Sequence, residues 1–188
     1  MELLSVHPEI MPDATAQAAG RWAEMSLNWL RNHRRSVIVE TTMRHPRATE
    51  NTLKQFKAAG YRTQVIVVAV PRELSLMGTL TRYVNQILAQ GQDRWVNPMV
   101  HDEAATQLIE TLSNHIANGV VDKIDIVERS GKELFSKTIS DTNRMTIIEQ
   151  TLAAIEKVDD LMDSMKSNAN NGWPNSKQSK ILSDSIQT

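Results

Sequence analysis

Cysteine is absent from this 188-residue sequence, which excludes both disulfide bonds and a thiolate metal site. Long apolar runs are missing too. No stretch approaches the roughly 20 apolar residues of a membrane span, and no basic segment leads into an apolar run at the N-terminus. A surplus of one charge is also lacking: the formal net charge of -1 gives no footing for nucleic acid or an anionic membrane surface. A soluble, cytoplasmic protein is the expectation, with no nucleic acid and no membrane among its partners. The most pointed absence is the phosphate loop Gly-x-x-x-x-Gly-Lys-[Ser/Thr]. Gly131-Lys132 is the nearest approach, but Ile126 stands where the partner glycine belongs, so that dipeptide reads as a turn.

What is present is enough for one core. Hydrophobic residues make up 40% of the chain, which excludes wholesale disorder and suits one domain with extensions. Asp13 is placed to cap a helix over 14–31, with Ala18, Trp22, Met25, Trp29 and Leu30 at helical spacing. Trp22 and Trp29 read as core residues. Ser36 to Glu40 reads as a short strand around Val37-Ile38-Val39, followed by a helix opened by Pro46 and closed by Gly60. The continuous run 65–70 suits a central parallel strand covered on both faces. Pro71 opens a helix with an apolar side built from Leu74, Met77, Leu80, Tyr83, Val84 and Ile87, ending near Gly91, and another helix runs from Pro98 to about Asn118. Lys123–Glu128 and Glu133–Thr138 read as strands joined across Ser130-Gly131, and Asp141 caps a last helix. From the alternation of helices and strands, an α/β fold with parallel strands is expected. Its divisions are a domain over 1–140, a C-terminal helix over 141–166 and a disordered Asn/Ser/Gln/Lys-rich tail over 167–188.

The residues able to carry chemistry cluster where ligands sit in open α/β sheets, beyond the carboxyl ends of strands. Glu40, Thr42 and Arg44 follow the 36–40 strand: an acid to orient water or substrate, a hydroxyl donor, and a planar guanidinium suited to phosphate. A polar strand-to-helix loop with a capping threonine accounts for the same residues equally well. Arg82 and Arg94 flank a segment able to close over a transferring phosphoryl group, although most arginines are solvated surface charges. His101-Asp102 offers a base, but no serine at a nucleophile's spacing accompanies it, so capping and packing are the simpler reading. His7, His33, His45 and His115 are scattered, with no metal-ligand spacing.

Taken jointly, these stretches resemble the zeta toxin family, kinases that phosphorylate UDP-N-acetylglucosamine with ATP. The family pattern Val-Ile-Glu-Gly-Thr-x-Arg is matched by 37–44, Val-Ile-Val-Glu-Thr-Thr-Met-Arg. A second element is matched by Val67-Val68-Ala69-Val70-Pro71, Ser75, Gly78-Thr79 and Arg82-Tyr83, and a third by Arg94 and His101-Asp102. Glu24 falls where the family's helix carries a substrate-facing acid. The similarity covers roughly 12–138. It implies that Glu24, Thr42 and Arg44 contact the nucleotide sugar, that Glu40 lies at the acidic strand end near magnesium, and that Arg82 and Arg94 clamp the ATP phosphates and stabilise the transferring group.

The departures are as informative. The family's first strand, its phosphate loop with the lysine, and the strand carrying the aspartate base would all precede Met1, and Thr41 replaces the family's usual glycine. Losing one preorganised electrostatic group commonly costs on the order of 100- to 1,000-fold in rate. The expectation is therefore a P-loop-kinase-like domain lacking its first strand and phosphate loop, inactive alone and poor at holding ATP and Mg. Uncovered sheet edges would favour self-association. An antitoxin-like protein is an expected partner. The alternatives are a non-catalytic nucleotide-sugar-binding or protein-interaction module, and a kinase for another small sugar or phosphorylated substrate.

Overall fold

The computed structural model describes residues 10–91 and 95–170, with side chains described except at 11, 12, 159 and 161–170. Five helices and three strands are described in the order α1 (Met11–Asn32), α2 (Pro46–Ala58), β1 (Gln64–Ala69), α3 (Arg72–Gln90), α4 (Pro98–Ala117), β2 (Lys123–Glu128), β3 (Glu133–Thr138) and α5 (Arg144–Asn170). This is a mixed α/β fold. No described helix is long and apolar enough to cross a membrane.

Local chemistry sets several boundaries. Pro46 and Pro98 stand in the first turns of α2 and α4, where a missing N–H costs nothing. The Asn97 side chain accepts a hydrogen bond from the Met99 amide at 2.9 Å, capping α4. Gly91 ends α3 at φ 73°, a left-handed conformation that glycine adopts without a Cβ penalty. Gly131, at φ 84°, turns β2 into β3.

The sheet order is β1-β2-β3. β1 and β2 run parallel with Gln64 opposite Lys123, whereas β2 and β3 are antiparallel with an irregularity at Ile126/Val127. One face is packed. Val67 and Ala69 of β1 and Ile124 and Ile126 of β2 meet Leu112 and Ile116 of α4 and Ile147 and Val158 of α5. Burying each large aliphatic side chain contributes about 1.5–3 kcal/mol, so these two helices hold the sheet.

The opposite face overturns an expectation. Ile66 and Val68 on β1 are 60% and 58% exposed, so the strand is covered on one face and not on both. The segment 36–40 is not a strand either. It forms no ladder, and Ile38 is 94% exposed. Three apolar residues make a strand only when a neighbour supplies the ladder bonds, and β1 pairs with β2 alone among the described residues. Trp22 and Trp29, expected in the core, are 70% and 55% exposed, while Leu30 on the same helix is half-buried.

Two caps also differ. α1 begins at Met11 behind Ile10, with Asp13 inside its first turn rather than at the cap. α5 begins at Arg144, after a turn in which Asn143 Oδ1 accepts from the Ser140 amide at 2.8 Å and Asp141 pairs with Arg144. α5 extends to Asn170, four residues past the expected helix end at 166. Residues 171–188 of the expected tail lie outside the described residues.

Candidate functional site

The turn between α1 and α2 is shaped by Met43. Its φ of 55° is left-handed, uncommon for a residue with a Cβ. The Thr41 hydroxyl stabilises the turn by accepting from the Met43 amide at 3.1 Å. The Met43 side chain is buried, while Thr42 and Glu40 face solvent and Arg44 is half-buried. Threonine at 41 in place of glycine thus serves the turn.

Arg44 reaches a cleft of about 590 Å³ between the start of α2 and one flank of α4. Arg44, His45 and Pro46 form one wall, and Glu103, Gln107, Glu110, Thr111 and Asn114 the other. Glu103, Gln107, Glu110 and Asn114 recur at helical spacing, so α4 presents a continuous polar stripe. Arg44 Nη2 lies 3.4 Å from His45 Nε2. Below the cleft, His115 is fully buried with neither ring nitrogen hydrogen-bonded, and burial pushes its pKa down. Beside it, the Lys54 ammonium holds the Glu50 carboxyl below its ordinary pKa at 2.7 Å, with help from Asn118. One guanidinium, two carboxylates and two amides can bind a ligand that combines an anionic group with hydroxyl and amide groups. The volume is in the usual range for small-ligand sites.

Among the described residues proposed from sequence to contact substrate or phosphate, Arg44 alone lines this cleft. Glu24 is exposed on α1 and paired with Arg21 at 2.7 Å. Arg82 is exposed on α3, and Arg94 lies outside the described residues. Among the described residues no group of three or more His, Asp or Glu side chains is arranged to hold a metal ion. Glu40 stands in solvent before the turn into α2.

His101 and Asp102 are drawn into a different cluster. His101 Nε2 lies 3.0 Å from Ser75 Oγ, and Nδ1 lies 3.2 Å from Asp102 Oδ1. Arg72 meets the same carboxylate through Nε at 3.1 Å and Nη2 at 2.9 Å. The Arg72 guanidinium, aided by His101, holds the Asp102 carboxyl below its ordinary pKa. Sequence spacing hides this group, because Ser75 and His101 are 26 residues apart. The α4 stripe is hidden for a similar reason: nothing in the spacing of Glu103, Gln107 and Glu110 shows that Arg44 stands opposite.

The family model described as Zeta toxin matches residues 2–141. Toxin PezT of Streptococcus pneumoniae is 23% identical over 153 residues, covering 81% of this chain and 60% of PezT. Toxin zeta of Enterococcus hirae is 25% identical over 136 residues, covering 72% of this chain and 48% of that toxin. A solved structure from the PezAT chromosomal toxin-antitoxin system of Streptococcus pneumoniae superposes with a TM-score of 0.63 at 20% identity, over 84% of this chain and 67% of that one. The chain therefore spans between about half and two thirds of these relatives.

Proposed function

The chain belongs to the zeta toxin family, and from that membership we propose that it is the substrate-side portion of an ATP-dependent kinase whose phosphoryl acceptor is UDP-N-acetylglucosamine. The observation that carries this reading is the Arg44 cleft. Its guanidinium suits a diphosphate, and the carboxylates and amides of the α4 stripe suit sugar hydroxyls and an acetamido group. Thr42, in the same turn, is proposed as a further hydroxyl contact. Glu24 belongs to the proposed sugar contacts, Glu40 to the magnesium side, and Arg82 and Arg94 to the ATP phosphates.

By itself the 188-residue chain is proposed not to turn over. Its sequence has no phosphate loop, and phosphoryl transfer depends on groups that cradle the β- and γ-phosphates. Binding without turnover is the result to expect, and it makes the chain a nucleotide-sugar-binding module in isolation. An antitoxin protein is the proposed partner, consistent with PezT, which belongs to a toxin-antitoxin system.

Titrating UDP-N-acetylglucosamine against the chain, followed by amide chemical shifts, tests the reading. Shifts centred on 41–44 and on the α4 stripe, lost in Arg44→Ala, are expected at an affinity of about 1 mM, or roughly 4 kcal/mol. A flat titration at high ligand refutes the cleft as a nucleotide-sugar site. Phosphate transfer from ATP by the chain alone, abolished by Arg82→Ala, would overturn the proposal of inactivity.

A further inference from the structure

α3 is a 19-residue helix with no buried residue. Most helical stability in proteins comes from packing an apolar face, yet Met77, Val84 and Leu88 on this helix are exposed. Its expected apolar side is thus half open, with Met77, Leu80 and Val84 exposed and Leu74, Tyr83 and Ile87 only partly buried, so burial orients it weakly. Directional contacts take over that role, and several are concentrated in its first turn. Ser75 meets His101, His101 meets Asp102, and Arg72 returns from α3 to grip Asp102 through two nitrogens. The circuit joins the first turn of α3 to the first turn of α4. Further along, Tyr83 meets Trp95 edge to face with centroids 5.0 Å apart.

The clustered contacts also select one face of the helix. Ser75, Gly78 and Arg82 stand at i, i+3 and i+7, which places them on one stripe. That stripe is turned toward the rest of the fold at Gly78, where a Cβ would lie 3.5 Å from Arg129 Nη1 of the β2–β3 turn. We infer that the Ser75–His101–Asp102–Arg72 circuit is a clasp that sets the rotation of α3 about its axis, making Ser75 and His101 positioning residues for Arg82. The consequence for Arg82 rests on its proposed role as a phosphate ligand. The clasp itself does not.

The chemistry within the clasp is one-directional. Asp102, held ionised by Arg72, accepts the Nδ1 proton of His101, which leaves Nε2 to accept from the Ser75 hydroxyl. Both oxygens of Asp102 are engaged by Arg72, so the carboxylate anchors the imidazole rather than serving to activate Ser75. The leverage is geometric. A 20° rotation of a helix moves a side-chain end about 6 Å from the axis by roughly 2 Å. Misplacement by about 1 Å can already cost on the order of 100-fold in a positioned reaction.

Hydrogen exchange on the full chain tests the clasp in Ser75→Ala, His101→Ala and His101→Gln. The glutamine amide reaches Ser75 as Nε2 does. Loss of one such hydrogen bond, about 1 kcal/mol, should speed exchange of the α3 amides roughly fivefold in both alanine variants. Protection in β1, β2 and α4 should stay unchanged, and His101→Gln should restore α3. Unchanged α3 exchange, or exchange rising equally throughout the fold, overturns the clasp. In parallel, the Arg82 side-chain resonance is followed against inorganic tripolyphosphate. The expected result is a shift in the wild-type chain, weakened at least about fivefold in His101→Ala and recovered in His101→Gln. An equal shift in wild type and His101→Ala overturns the positioning of Arg82. An exchange response without any wild-type shift refutes the phosphate role of Arg82 and upholds the clasp.

Discussion

Thr63 and Asp122 are bonded in both directions. The Thr63 amide donates to Asp122 Oδ2 at 2.8 Å, and the Asp122 amide donates to the Thr63 carbonyl at 2.9 Å. The Thr63 hydroxyl lies 3.0 Å from the same carboxylate and donates to Val120 O at 2.7 Å, while Lys57 of α2 pairs with Asp122 Oδ1. One aspartate therefore aligns the starts of the two parallel strands and fastens α2 beside them.

Asp122→Ala should destabilise the chain by about 2 kcal/mol, because it removes the acceptor of the Thr63 amide and the ion-pair partner of Lys57. Burial alone would raise the Asp122 pKa, but Lys57 and the two Thr63 donors outweigh it and hold the value down. A carboxyl depressed in the folded state stabilises above its unfolded pKa of about 3.9 and loses that contribution as pH falls through the folded value. Thermal unfolding from pH 6 to pH 3 should thus show a steeper acid loss in the wild-type chain than in Asp122→Asn. Parallel curves for the two would remove Asp122 from the acid response.

His115 gives a second pH dependence in a different window. It is fully buried, neither ring nitrogen has a partner, and its pKa is lowered by burial, with Glu50 opposing and Lys54 reinforcing the shift. The unfolded chain binds the proton first, so stability is full above about pH 6.5 and falls as pH drops below it. His115→Leu, which keeps an apolar side chain there, should flatten the curve between pH 7 and pH 5 and be neutral to stabilising at pH 7. An unchanged slope in that variant would assign the response elsewhere.

Much of this architecture is legible from local chemistry. β2 and β3 were readable to the residue because Ser130-Gly131 marks the turn between them, and α2 and α4 because Pro46, Gly60 and Pro98 punctuate them. The segment 36–40 was not, since Val37-Ile38-Val39 has strand composition but pairing is decided by a neighbour distant in sequence. The same limit governs Trp22 and Trp29, whose spacing shows an apolar face without showing what covers it. At the site, Arg44 was legible as a cation after an apolar run. Its opposite wall on α4 and the Ser75–His101 contact were not, because helix packing brings them together.

The uncovered side of β1 should make the chain associate. Ile66 and Val68 are exposed on a strand whose outer edge has no described partner, and such edges template pairing with other chains. Sedimentation should show concentration-dependent association that declines in Ile66→Lys/Val68→Glu. A monodisperse monomer at all concentrations would exclude this face as a self-association surface.

The turn before α2 should be the most sensitive point of the ligand cleft. Met43 combines a buried side chain with a left-handed backbone held by the Thr41 hydroxyl. Met43→Ala keeps the unfavourable φ and forfeits the burial, so it should cost about 2–3 kcal/mol in denaturant unfolding. Met43→Gly also loses the burial but relieves the φ penalty of roughly 1 kcal/mol, and should be no less stable than Met43→Ala despite being smaller. Ordinarily glycine in place of alanine is the more destabilising of the two. If Met43→Gly proves the weaker by 1 kcal/mol or more, the left-handed turn is not what places Arg44 at the cleft.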